Sequence, residues 1–98
     1  MQDIQFDWDP AKARANLRKH RVAFEEAQTM FSDDLALLID DPDHSDEEAR
    51  LILLGLSVAP RILVVVHACR AAPDTIRIIS ARKATKAERA IYVKRPRP

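Results

Sequence analysis

The stretch RILVVVHACR, residues 61–70, constrains the fold most, because it is apolar at nearly every position. A strand with one face in water alternates apolar and polar residues, so an unbroken apolar run indicates a strand covered on both faces. The run is also well short of the roughly 20 residues that cross a bilayer. The sequence therefore predicts the central strand of a sheet that has other elements packed against it.

Four other segments complete the predicted sheet. IQFDW, residues 4–8, alternates apolar and polar side chains and predicts an N-terminal strand. Further strands are predicted at 35–40, 49–58 and 75–82. Gly55 lies inside one of these strands, where glycine usually marks a bulge or bend.

Three helices are predicted around these strands. The Asp9-Pro10 pair gives an N-cap and a first-turn proline for a helix that ends near His20 or Arg21. A short second helix is predicted in AFEEAQTMF, residues 23–31, where Phe24, Ala27 and Phe31 have helical spacing. A third helix over about 86–94 begins with the capping box TKAE. The order β-α-α-β-β-β-β-α predicts an α+β fold, a mostly antiparallel sheet flanked by helices, in a single domain over residues 1–98.

The charges are separated along the chain. Residues 1–60 hold 6 Lys/Arg and 13 Asp/Glu, whereas residues 61–98 hold 10 and 2, so the two parts carry −7 and +8. Such a separation is typical of a polyanion-binding region, and RNA or DNA is the usual polyanion. The alternative is that the two charged parts only neutralise each other across the fold.

Metal and thiol chemistry are disfavoured by the residue types available. The acidic loop DPDHSDEE, residues 41–48, would need Gly and Glu where an EF-hand has them, but Asp46 and Ile52 occupy those positions. One Cys and three scattered His do not give the short-spaced pairs of a zinc site. We therefore predict neither a metal nor a cofactor, and we predict that Cys69 is a buried apolar residue.

The basic strands suit RNA cleavage without a metal. Attack of a ribose 2′-OH on its own 3′ phosphate needs a base, an acid and cations for the charge that develops on the phosphate. His67 could transfer protons near neutral pH, and Arg77 and Arg82 could hold the phosphate. His67 and Arg77 lie close together if residues 61–70 and 75–82 form a hairpin, but their faces depend on its register. The competing interpretation of His67 is a core histidine.

Three other residues have a structural explanation beside a functional one. Glu88 could act as a base, although the capping box already accounts for it. Lys19 and His20 could bind RNA, although cations at the end of a helix also complement its dipole.

Several blocks resemble one family in the correct order. They are FDWDPAKARANLRKH, FEEA, HSDEEARLILLG, LVVVH and IRIISARKATKAER, and together they cover Phe6 to about Tyr92. These blocks resemble the BrnT toxins of type II toxin–antitoxin modules. The resemblance implies a RelE-like ribonuclease fold, RNA cleavage that inhibits translation in the bacterial cytoplasm, and a dimeric BrnA-type antitoxin of the ribbon-helix-helix class. Operator DNA would be bound only through the toxin–antitoxin complex.

The matching blocks also imply site residues. The expected catalytic residues are Arg77 and Arg82, as phosphate clamps, and His67, as a proton-transfer group. The expected RNA-binding residues are Lys19, His20, Arg70 and Lys83, and Glu88 and Tyr92 are further candidates for proton transfer.

The chain departs from the family at two positions. Arg21 stands where Gly is usual, at a helix end that favours a left-handed residue. Ala23 stands where Ser is common, so a Ser-x-x-Glu cap with Glu26 is lost. Besides the ribonuclease, two hypotheses remain: a non-catalytic module that binds RNA or antitoxin in operon autoregulation, and a plain scaffold.

Overall fold

The computed structural model describes residues 4–41, 50–70 and 74–95. They form a five-stranded sheet in the order β1-β5-β4-β3-β2, in which β1 runs parallel to β5 and the other neighbours are antiparallel. The elements are β1 (Gln5–Asp7), α1 (Pro10–His20), α2 (Phe24–Thr29), a 3₁₀ turn (Met30–Ser32), β2 (Leu37–Asp40), β3 (Arg50–Leu56), β4 (Ile62–Arg70), β5 (Thr75–Lys83) and α3 (Lys86–Lys94). The α+β prediction is confirmed.

The two faces of the sheet are covered differently. We call one the α1/α2 face, where Leu53, Val65 and Ile78 join Phe24 and Met30 in the larger core cluster. The other is the α3 face. Its apolar cluster is smaller and consists of Leu54, Val64, Ala84 and Tyr92. β4 therefore has buried residues on both faces, as its apolar sequence predicted.

Local signals in the sequence explain where α1 begins and ends. The Asp9 Oδ1 accepts a hydrogen bond from the Ala11 N–H at 2.9 Å, and Pro10 occupies the first helical position. The helix ends at Arg21, which adopts the left-handed conformation with φ 59° and ψ 32°. A side chain in this conformation costs about 1 kcal/mol that glycine avoids.

Helix α2 begins without a side-chain cap, because Ala23 occupies the N-cap. Glu26 instead turns to the β3–β4 connection, where it binds the guanidinium of Arg61 and accepts a hydrogen bond from the Ser57 hydroxyl at 2.7 Å. The Arg61 hydrogen bond holds the pKa of Glu26 below its usual value despite partial burial.

The buried Asn16 ties α1 to the sheet. Its Nδ2 donates to the carbonyl oxygens of Val22 and Ala81 at 2.9 and 2.8 Å, and its Oδ1 accepts from the Ala81 N–H at 3.1 Å. This side chain therefore fixes the position of β5 immediately before Arg82.

Two predictions about single residues are wrong. Gly55 pairs regularly with Leu63, and an added Cβ would lie 3.0 Å from the Ala36 Cβ, a tight contact that glycine avoids. Cys69 is exposed, since β4 extends beyond the point where β3 begins at Arg50. Among the described residues, no helix is long and apolar enough to cross a membrane.

Candidate functional site

A single extra residue in β5 determines which side chains share a face. Along the β4–β5 ladder, Val66 pairs with Ser80 but His67 pairs with Ile78, so Ile79 has no partner on β4. This is a β-bulge, in which two residues of one strand oppose one residue of the other. The alternation of side chains therefore shifts by one residue at Ile79.

The bulge brings Arg77 and Arg82 to the same face. Residues five apart in a regular strand point to opposite faces. Here Arg77 pairs with Ala68 and Arg82 pairs with Val64, and both partners lie on the α3 face. The two arginines that the sequence predicted as phosphate clamps therefore share the side of the sheet that α1 and α2 leave uncovered.

Arg82 forms a two-pronged ion pair with Glu88. Its Nη1 and Nη2 donate to the Glu88 Oε1 and Oε2 at 2.8 and 2.9 Å. The predicted capping box is also present, because Glu88 Oε1 accepts from the Thr85 N–H at 2.8 Å and the Thr85 hydroxyl accepts from the Glu88 N–H. The Arg82 hydrogen bonds lower the pKa of Glu88 to about 2. In this arrangement Glu88 is ionised and a weak base.

Arg77 also has a carboxylate partner. Its Nη1 donates to the Asp7 Oδ1 at 3.2 Å, across the parallel pairing of β1 with β5. Both side chains are partly exposed, so the pair is screened by water and contributes little to stability. A phosphate could therefore compete for this guanidinium at small cost.

His67 lies on the α1/α2 face, away from both arginines. Its side chain is 1% exposed, and its ring meets the ring of Phe31 edge-on with 4.8 Å between centroids. Burial lowers the pKa of His67, against a smaller opposing effect of the Val65 backbone. No described residue bonds to its Nδ1. The structure therefore places His67 in the core, on the opposite side of the sheet from Arg77 and Arg82.

Tyr92 is committed to a structural contact. It is 7% exposed, and its hydroxyl donates to the Asp33 Oδ2 at 2.6 Å. The same oxygen accepts from the Leu56 N–H at 2.9 Å, so the contact links α3 to the end of β3.

The residues expected to bind RNA are dispersed. Lys19 and His20 lie at the end of α1, and Lys83 pairs with Leu63 of the larger core cluster, so its side chain belongs to the α1/α2 face. Arg70 pairs with Thr75 at the end of β4. The structure therefore does not gather Lys19, His20 and Lys83 beside Arg77 and Arg82.

The sequence reasoning missed Arg50 on the α3 face. Arg50 pairs with Ala68, which in turn pairs with Arg77. The signal was present, because Arg50 has the same strand parity as Ile52 and Leu54 and follows an acidic run. Among the described residues, no group of three or more His, Cys, Asp or Glu is placed to hold a metal ion. The acidic loop 41–48 lies outside the described residues apart from Asp41.

Comparison with known proteins gives a family and a fold. A family model described as "Ribonuclease toxin, BrnT, of type II toxin-antitoxin system" matches residues 8–88. No curated protein matches the chain. Among solved structures, the 1.1 Å crystal structure of the Brucella abortus ribonuclease toxin BrnT matches 86% of this chain and 100% of its own, with 23% identity and a TM-score of 0.64. The chain thus belongs to the BrnT family of ribonuclease toxins of type II toxin–antitoxin systems.

Proposed function

We propose that the protein is a metal-independent endoribonuclease that inhibits translation in the bacterial cytoplasm and is neutralised by a BrnA-type ribbon-helix-helix antitoxin. The observation that supports this most is the placement of Arg77 and Arg82 on one partly open face of the sheet. Guanidinium groups bind phosphate through planar, paired hydrogen bonds and stabilise the charge that develops on it.

In the proposed reaction, the ribose 2′-oxygen attacks the adjacent phosphorus and the bond to the 5′-oxygen breaks. The products are a 2′,3′-cyclic phosphate and a 5′-hydroxyl. The step exchanges one P–O bond for another, so it consumes no water. A base takes the 2′ proton and an acid supplies a proton to the 5′-oxygen. Arg82 would hold the phosphate at which this happens, and Arg77 would hold a neighbouring one.

Glu88 is the candidate base that the geometry favours. While Arg82 binds both of its oxygens, the pKa of Glu88 is about 2. If a phosphate takes over Arg82, the main cause of that low value is removed, and the carboxylate becomes more basic beside the reacting group. Phosphate binding would thereby activate the base.

The first test is cleavage of total RNA in excess EDTA by the wild type and the R77A, R82A and H67A variants. We expect cleavage without added metal and a loss of about 100-fold or more in R82A, as for other groups that stabilise a transition state. Arg14→Ala is the matched control, because Arg14 is an exposed arginine on α1. Full activity of R82A in a folded protein would contradict the proposal, as would loss of wild-type cleavage in EDTA.

The Glu88 role has a test of its own. In E88Q the amide can still accept from the Thr85 N–H but no longer neutralises Arg82. We expect RNA to bind more tightly, because Arg82 no longer has a carboxylate partner. We expect kcat to fall, because the proposed base is removed. A purely structural Glu88 would leave kcat unchanged once the protein is saturated with RNA.

The alternative function is a non-catalytic module that binds RNA or antitoxin in operon autoregulation. The observation that favours it is that Arg77 and Arg82 both already bind carboxylates, as they could bind acidic side chains of a partner. This alternative would be selected if the wild type bound RNA in EDTA but did not cleave it, both with and without ribosomes.

The antitoxin proposal includes a role for the acidic loop 41–48, which would help to dock a basic antitoxin surface. Replacing its acids with Ser should weaken the toxin–antitoxin complex in a salt-dependent manner. Unchanged affinity would remove the loop from the interface.

A further inference from the structure

Arg50, Ala68 and Arg77 form a row of three neighbouring side chains on the α3 face. Arg50 of β3 and Arg77 of β5 are the direct ladder partners of Ala68 on either side of β4. Neighbouring strands lie about 4.8 Å apart, so the two arginine backbones are about 10 Å apart. Ala68 is fully buried, so the arginine side chains on either side of it are the groups that a ligand at this level could contact.

Arg50 differs from the other arginines on this face. Arg77 binds Asp7 and Arg82 binds Glu88, whereas no described carboxylate is paired with Arg50. An incoming anion therefore has to displace a carboxylate at two of the three positions but not, within the described part of the chain, at Arg50.

Arg82 lies too far along the sheet to join the same ligand group. Its partner Val64 is four residues from Ala68 on β4, a separation of about 13 Å at the usual rise per residue. Between the two levels lie Val66 and Ser80, both half-buried. Groups held at the two levels must belong to different phosphates.

We propose that Arg50 and Arg77 jointly hold one phosphate at the level of Ala68 while Arg82 holds a second, so that a single-stranded RNA lies along β4. The ligand class is a chain with at least two phosphates, which a mononucleotide does not satisfy. This proposal rests on the proposed function and extends it in two ways. It adds Arg50 as a binding residue, and it aligns the bound RNA with β4.

The test measures binding separately from cleavage. A fluorescent, fully 2′-O-methylated oligonucleotide has no 2′-OH and cannot be cleaved, and its affinity can be followed by anisotropy over a range of salt. We expect R50A and R77A each to weaken binding at least several-fold. Arg50→Lys, which keeps the charge but loses the planar fork, should fall between R50A and wild type.

Double variants distinguish shared from separate phosphates. If Arg50 and Arg77 share one phosphate, R50A/R77A loses less than the product of the single losses, and its log–log salt slope falls by about 0.7, the contribution of one single-strand phosphate. R50A/R82A should lose the full product, and R77A/R82A should lower the slope by about 1.4. Arg14→Ala is the control for removing one charge elsewhere.

The outcomes separate this proposal from the proposed function. If R50A folds and binds the oligonucleotide as tightly as Arg14→Ala does, the proposal that Arg50 holds a phosphate is wrong. This holds even if the wild type cleaves RNA in EDTA. Weak binding by R50A beside a wild type that never cleaves would support the row and reject the ribonuclease. Competition by poly-glutamate of matched charge, as strong as that of unlabelled RNA, would show that the row binds acidic protein and would overturn the RNA assignment. Circular dichroism and thermal melting confirm folding of each variant, and Arg50→Gln replaces R50A if it is unstable.

Discussion

The two faces of the sheet use the same strands for different purposes. On the α1/α2 face, Phe24, Met30, Leu63 and Val65 are fully buried, and even a histidine is enclosed among them. On the α3 face a short helix packs on a smaller cluster around Leu54 and Val64, and Arg77 and Arg82 lie on the same face. The comparison teaches that alternation along a strand lets a small domain keep its main core on one side and present charged side chains, here the proposed binding residues, on the other. Substitutions on the α1/α2 face should therefore mainly lower the free energy of unfolding. Substitutions of the arginines on the α3 face should mainly lower RNA cleavage and have little effect on stability.

The largest effect on stability is expected on the α1/α2 face. Phe24 is fully buried and its ring meets the ring of Trp8 edge-on at 5.8 Å between centroids. Phe24→Ala should lower the free energy of unfolding by about 3–5 kcal/mol, because it removes buried area and leaves a cavity. Urea denaturation measures this loss. A loss below about 1 kcal/mol would show that this face is not the main source of stability.

The next effect depends on pH and concerns the histidine on the same face. Burial lowers the pKa of His67 below its usual 6.5, so the unfolded chain takes up a proton that the folded chain resists. The contribution of His67 is fully present above pH 6.5 and is lost as pH falls toward the folded pKa, by up to about 1.4 kcal/mol per unit.

Urea denaturation of wild type and His67→Gln at pH 7.5, 6.5 and 5.5 tests this. As pH falls from 7.5 to 5.5, the free energy of unfolding should decrease more in the wild type than in the variant. The carboxylates with lowered pKa values, such as Glu26 and Glu88, titrate below this window. Parallel pH profiles for the two proteins would mean that His67 is not buried in its neutral form.

A smaller effect of opposite sign is expected where α1 ends. Arg21 holds a left-handed conformation that glycine adopts without strain, and its carbonyl accepts from the Arg61 Nη2 at 3.1 Å. Arg21→Gly keeps this backbone bond and should raise the free energy of unfolding by about 1 kcal/mol. Thermal melting gives the sign, with Arg18→Gly in the helix interior as a control that should be destabilising.

The smallest effect on stability is expected on the α3 face. The Arg82 side chain is 41% exposed, and its ion pair with Glu88 is correspondingly screened. Arg82→Ala should change the free energy of unfolding by about 1 kcal/mol or less, while it removes RNA cleavage. Denaturation and cleavage are measured on the same preparation. A large loss of stability would mean that the two faces are not separated in function as proposed.

The sequence predicted the parts of the fold that depend on local signals. The apolar run in β4, the proline start of α1 and the Thr85–Glu88 capping box each involve neighbouring residues, and all are present in the structure. The family resemblance is confirmed by the match over residues 8–88. These features needed no knowledge of how distant segments pair.

The features that were missed depend on strand pairing. Spacing within β4 and β5 could not show that His67 pairs with Ile78 instead of Arg77, because the register is set by contacts between strands. The bulge was placed at Gly55 by residue type, whereas it occurs at Ile79. Arg50 was overlooked for the same reason, since only its pairing with Ala68 brings it near Arg77. The catalytic and RNA-binding roles of the predicted residues remain predictions.

The bulge at Ile79 gives β5 one residue more between Arg77 and Arg82 than a regular ladder would hold. Many side chains could replace Ile79 without moving its neighbours to the other face, because Ile79 has no partner on β4. Its deletion would place Ser80 directly after Ile78 and give a regular ladder, with Arg77 and Arg82 four residues apart and still on one face. Loss of one residue at this point of β5 would therefore remove the irregularity of the ladder and keep the contents of both faces.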